Sequence, residues 1–593
     1  MRNSPKTHSN PKPTRSAVRR RIALKFALTI LLTLILASLS LPPSLPFTAP
    51  FVAGGHVWHC LGNASGLYWK EIGRAHAQGA TDFTDLRGHW AEPFVRSLYM
   101  GGILDIPEDG RFRPDEPVTR LDFTVWIAKS LELSKEEPGP TEEPPFKDMD
   151  SIPDEAKGYI LAALKEGIIT GYPDKTFRPL ANINRAEMGV IFGRGLIKMG
   201  VTPEPRYFKT FADGDKIPSW AQDASAAIKQ HIILGRPGKP LALYAPFDTT
   251  TRAEAVTMIE RFLNARFELL PWIPKPPVRP MPKGKLAVVY YANTDDAYQS
   301  LVSNGDHIDM VIYTSYFIGQ DGNLYGYDSP RTLKWGQDHD KPVIAMFGNH
   351  NLDLNHKILS DEQVQSQAIQ SIKNLMARGY SGINLDFEWV PAGDRELFSR
   401  FVARLVAELK PEGYLVTLSL PAKTKENLTS NWVGAFDYQR LGQLADYIAI
   451  MTYDQHWKGG PPGPIGDLAW MESVMNYALT NIPPSKLLLG IPAYGYDWPL
   501  VAGQNARALT ARNAENLARQ MGKTPVLDPS SGESWFEYTD SQGIKRKVYY
   551  NTAKSMEYKL ELVHKLNLAG MAMWRLGYET PDFWRSIPMT LRR

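Results

Sequence analysis

Between residues 81 and 265 the chain repeats one pattern three times, and this repetition constrains its fold more than any other feature. Each copy opens with Phe-x-Asp, at 83–85, 146–148 and 211–213. Each then runs through an apolar stretch with helical spacing, ends near a glycine and reaches a polar loop. A tetrad follows: Thr119-Arg120-Leu121-Asp122, Asn184-Arg185-Ala186-Glu187 and Thr251-Arg252-Ala253-Glu254. Thr or Asn followed three residues later by an acid predicts a capped helix start, because the short side chain and the acid can satisfy the first free amides. Capping explains the first and last positions of the tetrad but not the arginine.

Two proline-dense stretches, "PGPTEEPP" at 138–145 and "PWIPKPPVRPMPK" at 271–283, cannot continue helix or sheet and read as extended spacers. Beyond the second, short apolar runs alternate with helical stretches. They start at 285 (KLAVVYY), 308 (IDMVIYT), 341 (KPVIAMFG), 382 (GINLDFE), 414 (YLVTLSLPA), 446 (DYIAIMTYD), 486 (KLLLGIPAYGY) and 568 (LAGMAMWRLG). Eight such runs predict a (β/α)8 TIM barrel. One connecting helix is well marked: Ser360 and Gln363 form a capping box, Val364, Ala368, Ile372 and Leu375 recur at helical spacing, and Gly379 ends it. The long interval before the eighth run holds "SWFEYTD" and "KRKVYYN", strands of a small α+β insertion. A doubly wound open sheet is the alternative, weakened because no Gly-rich phosphate loop follows the first strand.

The fourth run carries the chemistry. In "GINLDFE" Asn384, Asp386 and Glu388 alternate with Ile383, Leu385 and Phe387, so an amide and two carboxylates share one face. In a barrel such a row points into the mouth, with Glu388 outermost, Asp386 below it and Asn384 deepest. Buried carboxylates need partners, so hydrogen bonds among these three are expected. Asp386 beside Glu388 should raise the proton affinity of the pair, as a general acid at neutral pH requires.

Charge and the chain start bound the rest. Eight Lys or Arg and no acid lie in residues 1–25, which leaves −4 on the remainder of a chain whose net charge is +4. A mildly acidic body without a basic stripe argues against nucleic acid. The basic start leads into "FALTILLTLILASLSL", 26–41, so residues 1–53 read as a secretory signal peptide or an uncleaved membrane anchor, the chain's one expected link to a membrane. Cys60 is the sole cysteine, which excludes a disulfide framework and a thiolate metal site; no cofactor or metal is expected.

The repeats at 81–135, 144–200 and 207–265 resemble S-layer homology modules, in their spacing, their Phe-x-Asp start and their Thr-Arg-Ala-Glu tetrad. That resemblance implies a three-pronged, mostly helical unit that binds anionic secondary cell-wall polysaccharide, with Arg120, Arg185 and Arg252 on the acidic sugar. It places the chain outside the cell, attached to a bacterial wall. A linker at 266–283 then leads to 284–593, which resembles family-18 glycoside hydrolases of the spore-germination, peptidoglycan-acting type through "SGINLDFE", "MTYDQHW" and "GMAMWRLG". This implies that Glu388 protonates the glycosidic oxygen while Asp386 orients the substrate's own 2-acetamido group, whose carbonyl oxygen attacks the anomeric carbon. Asn384 supports Asp386, and Tyr453 holds the acetamido carbonyl, with Asp454 and Met451 shaping its pocket. Trp574 stacks under the sugar, and Trp457, Trp470 and Tyr290 are further subsite candidates. Ser381 and Asn384 stand where the chitinase signature has aspartates, which weighs against chitin; peptidoglycan is the favoured substrate, with chitin or N-glycan-type oligosaccharides as the enzymatic alternatives. The rival readings are a non-catalytic carbohydrate-binding surface protein and a purely structural S-layer protein.

Overall fold

The computed structural model describes residues 83–105, 109–136, 144–269, 281, 284–501 and 503–592. The expected signal or anchor, Cys60 and most of both proline-rich spacers lie outside these. No helix among the described residues is long and apolar enough to cross a membrane.

The repeats form one helical unit from helices α1 (Glu92–Met100), α2 (Arg120–Ser130), α3 (Asp154–Lys165), α4 (Arg185–Lys198), α5 (Ala224–Lys229) and α6 (Arg252–Leu269). The Phe-x-Asp aspartate does the same task three times. Asp85 accepts from the amides of Phe112 and Arg113 at 2.9 and 2.7 Å, Asp148 from those of Phe177 and Arg178 at 2.8 and 2.7 Å, and Asp213 from those of Tyr244 and Ala245 at 2.7 and 2.9 Å. The second residue of each amide pair is left-handed, with φ of 58°, 59° and 55°. A non-glycine residue there costs about 1 kcal/mol, which two charge-assisted hydrogen bonds offset.

The tetrads then close a ring. The Arg120 amide donates to Ala181 of the second repeat (2.8 Å), that of Arg185 to Asp248 of the third (3.0 Å), and that of Arg252 back to Glu116 of the first (2.8 Å). Thr119 and Asn184 cap α2 and α4 as expected, and Thr251 and Glu254 exchange the same pair of bonds. All three repeats contribute to a single hydrophobic core. Helix α6 continues to Leu269, four residues into the stretch read as linker. There Phe267 lies under the Arg378 guanidinium of the second half, 4.4 Å away.

The second half is a closed barrel of eight parallel strands: β1 (Leu286–Tyr291), β2 (Met310–Ile318), β3 (Val343–Asn349), β4 (Gly382–Phe387), β5 (Leu415–Pro421), β6 (Tyr447–Met451), β7 (Leu487–Pro492) and β8 (Gly570–Trp574). β1 pairs with both β2 and β8, so no edge remains. All eight expected runs are present, and the doubly wound alternative is excluded. The helix delivering the chain to β4 is Glu362–Met376. Its cap is Asp361, which accepts from the amides of Gln363 and Val364; Ser360 instead ends the preceding helix. Asp361 offers an ionised acceptor one residue later, which a helix N-terminus favours.

The insertion between β7 and β8 is a five-stranded antiparallel sheet, in the order Arg507–Thr510, Tyr494–Pro499, Lys545–Tyr550, Glu533–Thr539, Val526–Asp528, with the helix Ala511–Gln520 against it. The repeat unit and barrel meet around Glu132. Its buried carboxylate takes hydrogen bonds from Arg266 (2.7 Å) on α6 and from Asn293 (2.9 Å) and Ser329 (2.6 Å) of the barrel half, and lies 3.8 Å from Arg331. Burial alone would raise its pKa; Arg266 and Arg331 outweigh that and hold it below the ordinary value.

Candidate active site

Parallel register builds the site from neighbouring strands. Asn384 of β4 stands between Met346 of β3 and Thr417 of β5, and Asp386 stands opposite Gly348. Glu388 follows the strand's last residue. Its amide donates to the Asn349 carbonyl at 2.8 Å, and its carbonyl accepts from the Asn355 side chain at 2.7 Å. The backbone is thereby held at the point where it leaves the sheet.

Asp386 and Glu388 are buried, at 3% and 8% exposure. They are not joined to Asn384 as expected. Asn384 turns sideways, donating to Thr417 Oγ1 (3.0 Å) and accepting from Ser419 (2.9 Å), whose hydroxyl meets Tyr290 at 2.6 Å. β5 supplies hydroxyls at that depth, and a neutral amide meets both its donor and acceptor needs there. The partner of the two acids is a residue the sequence reading passed over, His350, just beyond β3. Its Nε2 lies 3.3 Å from Asp386 Oδ2 and 3.8 Å from Glu388 Oε1. The signal that could have found it is a lone polar run, "GNHN", closing an otherwise apolar strand.

Electrostatics follow from this triad. Burial works against an imidazolium at His350, but Glu388 and Asp386 prevail and raise its pKa to about 9. Burial pushes Glu388 up to about 7; His350 opposes this, and Asp386 and Asp454 reinforce it. Glu388 is thus poised to hold a proton near neutral pH. The second Asp386 oxygen, Oδ1, is buried with no hydrogen-bond partner among the described residues. A buried lone acceptor of this kind is costly unless a ligand donor meets it. His350, Asp386 and Glu388 offer ligand atoms within 4.8 Å of one another, a spacing a metal ion could use.

The remaining expected residues divide. Burial and the nearby acids raise the Tyr453 phenol well above its ordinary value; Tyr290, Asp386, Asp454 and Glu388 all contribute to that. Asp454, at φ 59°, accepts from Tyr494 (2.7 Å) and Tyr496 (3.0 Å) of the insertion. Burial raises its pKa to about 6 against those two bonds. Met451 closes β6, and Trp574 closes β8 with its ring centroid 5.1 Å from that of Tyr290. Trp457 lines a cleft of about 720 Å³ with Trp498 and Leu500. Trp470 packs on the barrel core from the first turn of Leu468–Leu479. The three tetrad arginines sit at the repeat junctions. Arg120 is between Tyr172 and Phe177, 4.9 and 5.3 Å from their centroids. Arg185 donates to the Tyr244 carbonyl at 2.6 Å, and Arg252 pairs with Asp122 at 2.6 Å.

A closed parallel barrel with a proton-holding acid in its mouth, joined to a ring of capped helical repeats, has the architecture of a TIM-barrel enzyme with an attached helical repeat unit. Its family follows from sequence comparison. Residues 287–579 match glycosyl hydrolases family 18 and residues 82–124 and 145–188 match the S-layer homology domain, so the chain carries a family-18 glycoside hydrolase domain together with S-layer homology domains. The third repeat lies outside those matches but makes the same aspartate and tetrad contacts. The chain is similar to the uncharacterized glycosylase YvbX of Bacillus subtilis, 26% identical over 51% of this chain and 90% of that protein. It is also similar to the cortical fragment-lytic enzyme of Bacillus anthracis, 32% identical over 40% of this chain and 56% of that protein. Thus it spans little more than half the latter's length. Among solved structures, the Bacillus cereus spore cortex-lytic enzyme SleL is 26% identical with a TM-score of 0.49, covering 53% of this chain and 76% of that one.

Proposed function

We propose that this is a secreted, wall-attached, retaining glycosidase that cuts β-1,4 bonds after an N-acetylglucosamine-type residue, with peptidoglycan as substrate. The observation that carries the reading is the division of labour between the two buried acids two residues apart. Glu388, held up to about 7, has a proton to give to the leaving glycosidic oxygen. Asp386, tied to His350 through one oxygen, has the other free for the acetamido N–H. The acetamido carbonyl oxygen, steadied by Tyr453, then attacks the anomeric carbon as the bond to the leaving oxygen breaks. Water opens the resulting oxazolinium ion while Glu388 takes a proton back, so configuration is retained. No second nucleophilic carboxylate is needed. Asp454, fixed by two tyrosines, shapes the acetamido pocket with Met451, and Trp574 supports the sugar's apolar face.

Cell-wall polysaccharide is the partner that the S-layer homology domains favour. Among the three tetrad arginines, Arg120 best fits an acidic sugar, because its Nε is buried without a hydrogen-bond partner among the described residues. The names of the cortical fragment-lytic relatives favour peptidoglycan, and Asn384 in place of an acid sets the site apart from the chitinase signature.

Full-length protein and its Glu388→Gln variant are incubated with purified peptidoglycan and with chitin oligomers, and new reducing ends are followed by mass and by anomeric NMR. Release of β-anomer by the native chain alone is expected. Equal release by both proteins, or none by either, refutes catalysis and favours a binding protein. For attachment, replacing Arg120, Arg185 and Arg252 together by alanine is expected to free the protein from wall preparations; unchanged retention refutes that role.

A further inference from the structure

Helix α1 of the first repeat docks on the end of the barrel that carries the acids. The two glycines that follow it fit barrel segments closely. Tyr327, which follows β2 and is buried in the core of the repeats, donates to the Gly101 carbonyl, and a Cβ on Gly101 would collide with that hydroxyl. A Cβ on Gly102 would lie 2.8 Å from Thr294 Cγ2 and 3.3 Å from the Asn293 carbonyl oxygen, in the loop that leaves β1. Phe94 meets Tyr325 edge-on at 6.4 Å. Glu132 adds its bonds to Asn293 and Ser329, at 2.9 and 2.6 Å. The segments leaving β1 and β2, on the face where barrel sites are built, are thus fixed to the repeats.

This docking carries Met100, the last residue of α1, to the end of β3. Gly348 stands opposite Asp386. From the point where a Gly348 Cβ would sit, Met100 Cε is 3.0 Å away, Met346 Cε 3.3 Å and His350 Nε2 3.4 Å. The glycine leaves a space that two methionine methyls and the edge of the imidazole share. His350 Nε2 is also the atom that faces the acids, and its distances to them, 3.3 Å to Asp386 and 3.8 Å to Glu388, lie beyond the usual hydrogen-bond range. Such long contacts fix a ring poorly, so packing must hold it. The His350 side chain keeps only 4% exposure. Methionine suits the gap, because an unbranched thioether fills irregular space and competes weakly for hydrogen bonds.

We propose that Met100 is a positioning residue for the catalytic centre: its methyl group packs beside His350, fixes the imidazole between Asp386 and Glu388 and keeps water from Nε2, and the docking of α1 holds it there. Water at Nε2 would replace Asp386 as the hydrogen-bond partner and let the ring turn out of the cluster. Asp386 would then lose the contact that orients its carboxylate, and the two acids would lose the cation between them. The first repeat thereby becomes part of the enzyme's working geometry, through one side chain that touches no substrate. The catalytic consequence rests on the hydrolase reading above, whereas the packing of Met100 on His350 is testable without turnover.

The test uses the full chain, assayed on a soluble peptidoglycan fragment, with its methionine methyls followed by 13C NMR. The Met100 methyl, identified as the signal missing from Met100→Leu, is expected to show a nuclear Overhauser contact with the His350 ring, identified through His350→Gln. Met100→Ala should lower kcat about ten- to a hundredfold with KM within about twofold, as a displaced catalytic group does and lost substrate binding does not. Met100→Leu, which refills the gap, should recover most of the rate. Gly101→Ala, which pushes α1 off Tyr327 and leaves Met100 itself unaltered, should lower kcat in the same way. In the His350→Gln background Met100→Ala should cost less than about twofold more, because a residue that acts through His350 has nothing left to act on. Asp148→Ala, whose lost bonds lie within the second repeat, should leave kcat unchanged. An unchanged kcat in Met100→Ala, full additivity with His350→Gln, an equal loss in Asp148→Ala, or a missing methyl contact each overturns the proposal. A native chain that shows the contact but releases no product from any glycan sinks the hydrolase reading and leaves the packing of Met100 on His350 standing.

Discussion

Replacing His350 by glutamine removes the buried cation between the two acids while keeping a side chain of similar reach. At 3.8 Å from Glu388 Oε1, a unit positive charge in surroundings of effective dielectric about 20 is worth about 4 kcal/mol to the carboxylate. At about 1.4 kcal/mol per pH unit, that sets a ceiling of about three units on the upward shift of Glu388 once the cation is gone. Local rearrangement and entering water lower it, so a shift of about one to three units is expected. In the proposed mechanism Glu388 must be protonated to act as the acid, so the alkaline limb of kcat/KM marks its titration. In the native enzyme that limb should fall near pH 7, the value Glu388 is pushed up to; in His350→Gln it should move to higher pH. The maximal rate should drop as well, because Asp386 loses the partner on its Oδ2. The assay is initial-rate release of reducing ends from a soluble peptidoglycan fragment between pH 5 and about 10, a range set by the ordinary histidine and carboxylate values. A limb that stays in place, or moves to lower pH, refutes the assignment of His350 as the charge that controls Glu388.

The same histidine should make stability depend on pH. Its folded pKa, about 9, lies above the ordinary 6.5, so its stabilising contribution is complete below pH 6.5 and disappears as pH rises through 9. Native Tm should fall across that window, and His350→Gln should show a shallower slope between pH 7 and 9. Asp148→Ala strips two amides of the second repeat of their acceptor; a loss of about 2–4 kcal/mol is expected in urea unfolding of the anchoring unit. Gly101→Ala forces a methyl into Tyr327 and should loosen the junction, seen as faster proteolysis between the halves. Lys559→Met leaves the buried Glu533 carboxylate without its cation at 2.7 Å, and should cost about 3–5 kcal/mol; an unchanged Tm would contradict the pairing.

Much of this protein is legible along the chain because the forces involved are local or periodic. Apolar runs of strand length reveal all eight barrel strands, since a strand buried on both faces has few polar options. The tetrads reveal their helix starts because a cap and its amide lie three residues apart. The alternation in "GINLDFE" puts Asp386 and Glu388 on one face whatever the rest of the chain does. Three aspartates at equal places in three repeats announce one structural task, although not which amides they bind.

What only the tertiary structure decided is who stands beside whom. His350 is 36 residues from Asp386 and meets it because β3 and β4 pair in one register. Asn384 turns toward Thr417 and Ser419 rather than Asp386 because β5 presents hydroxyls at that level. Trp470 faces the barrel core, and Met100, from a repeat read as a wall anchor, sits over the catalytic mouth. Local spacing sets which face a side chain occupies; burial and the charges brought to that face by other segments set its protonation and its chemistry.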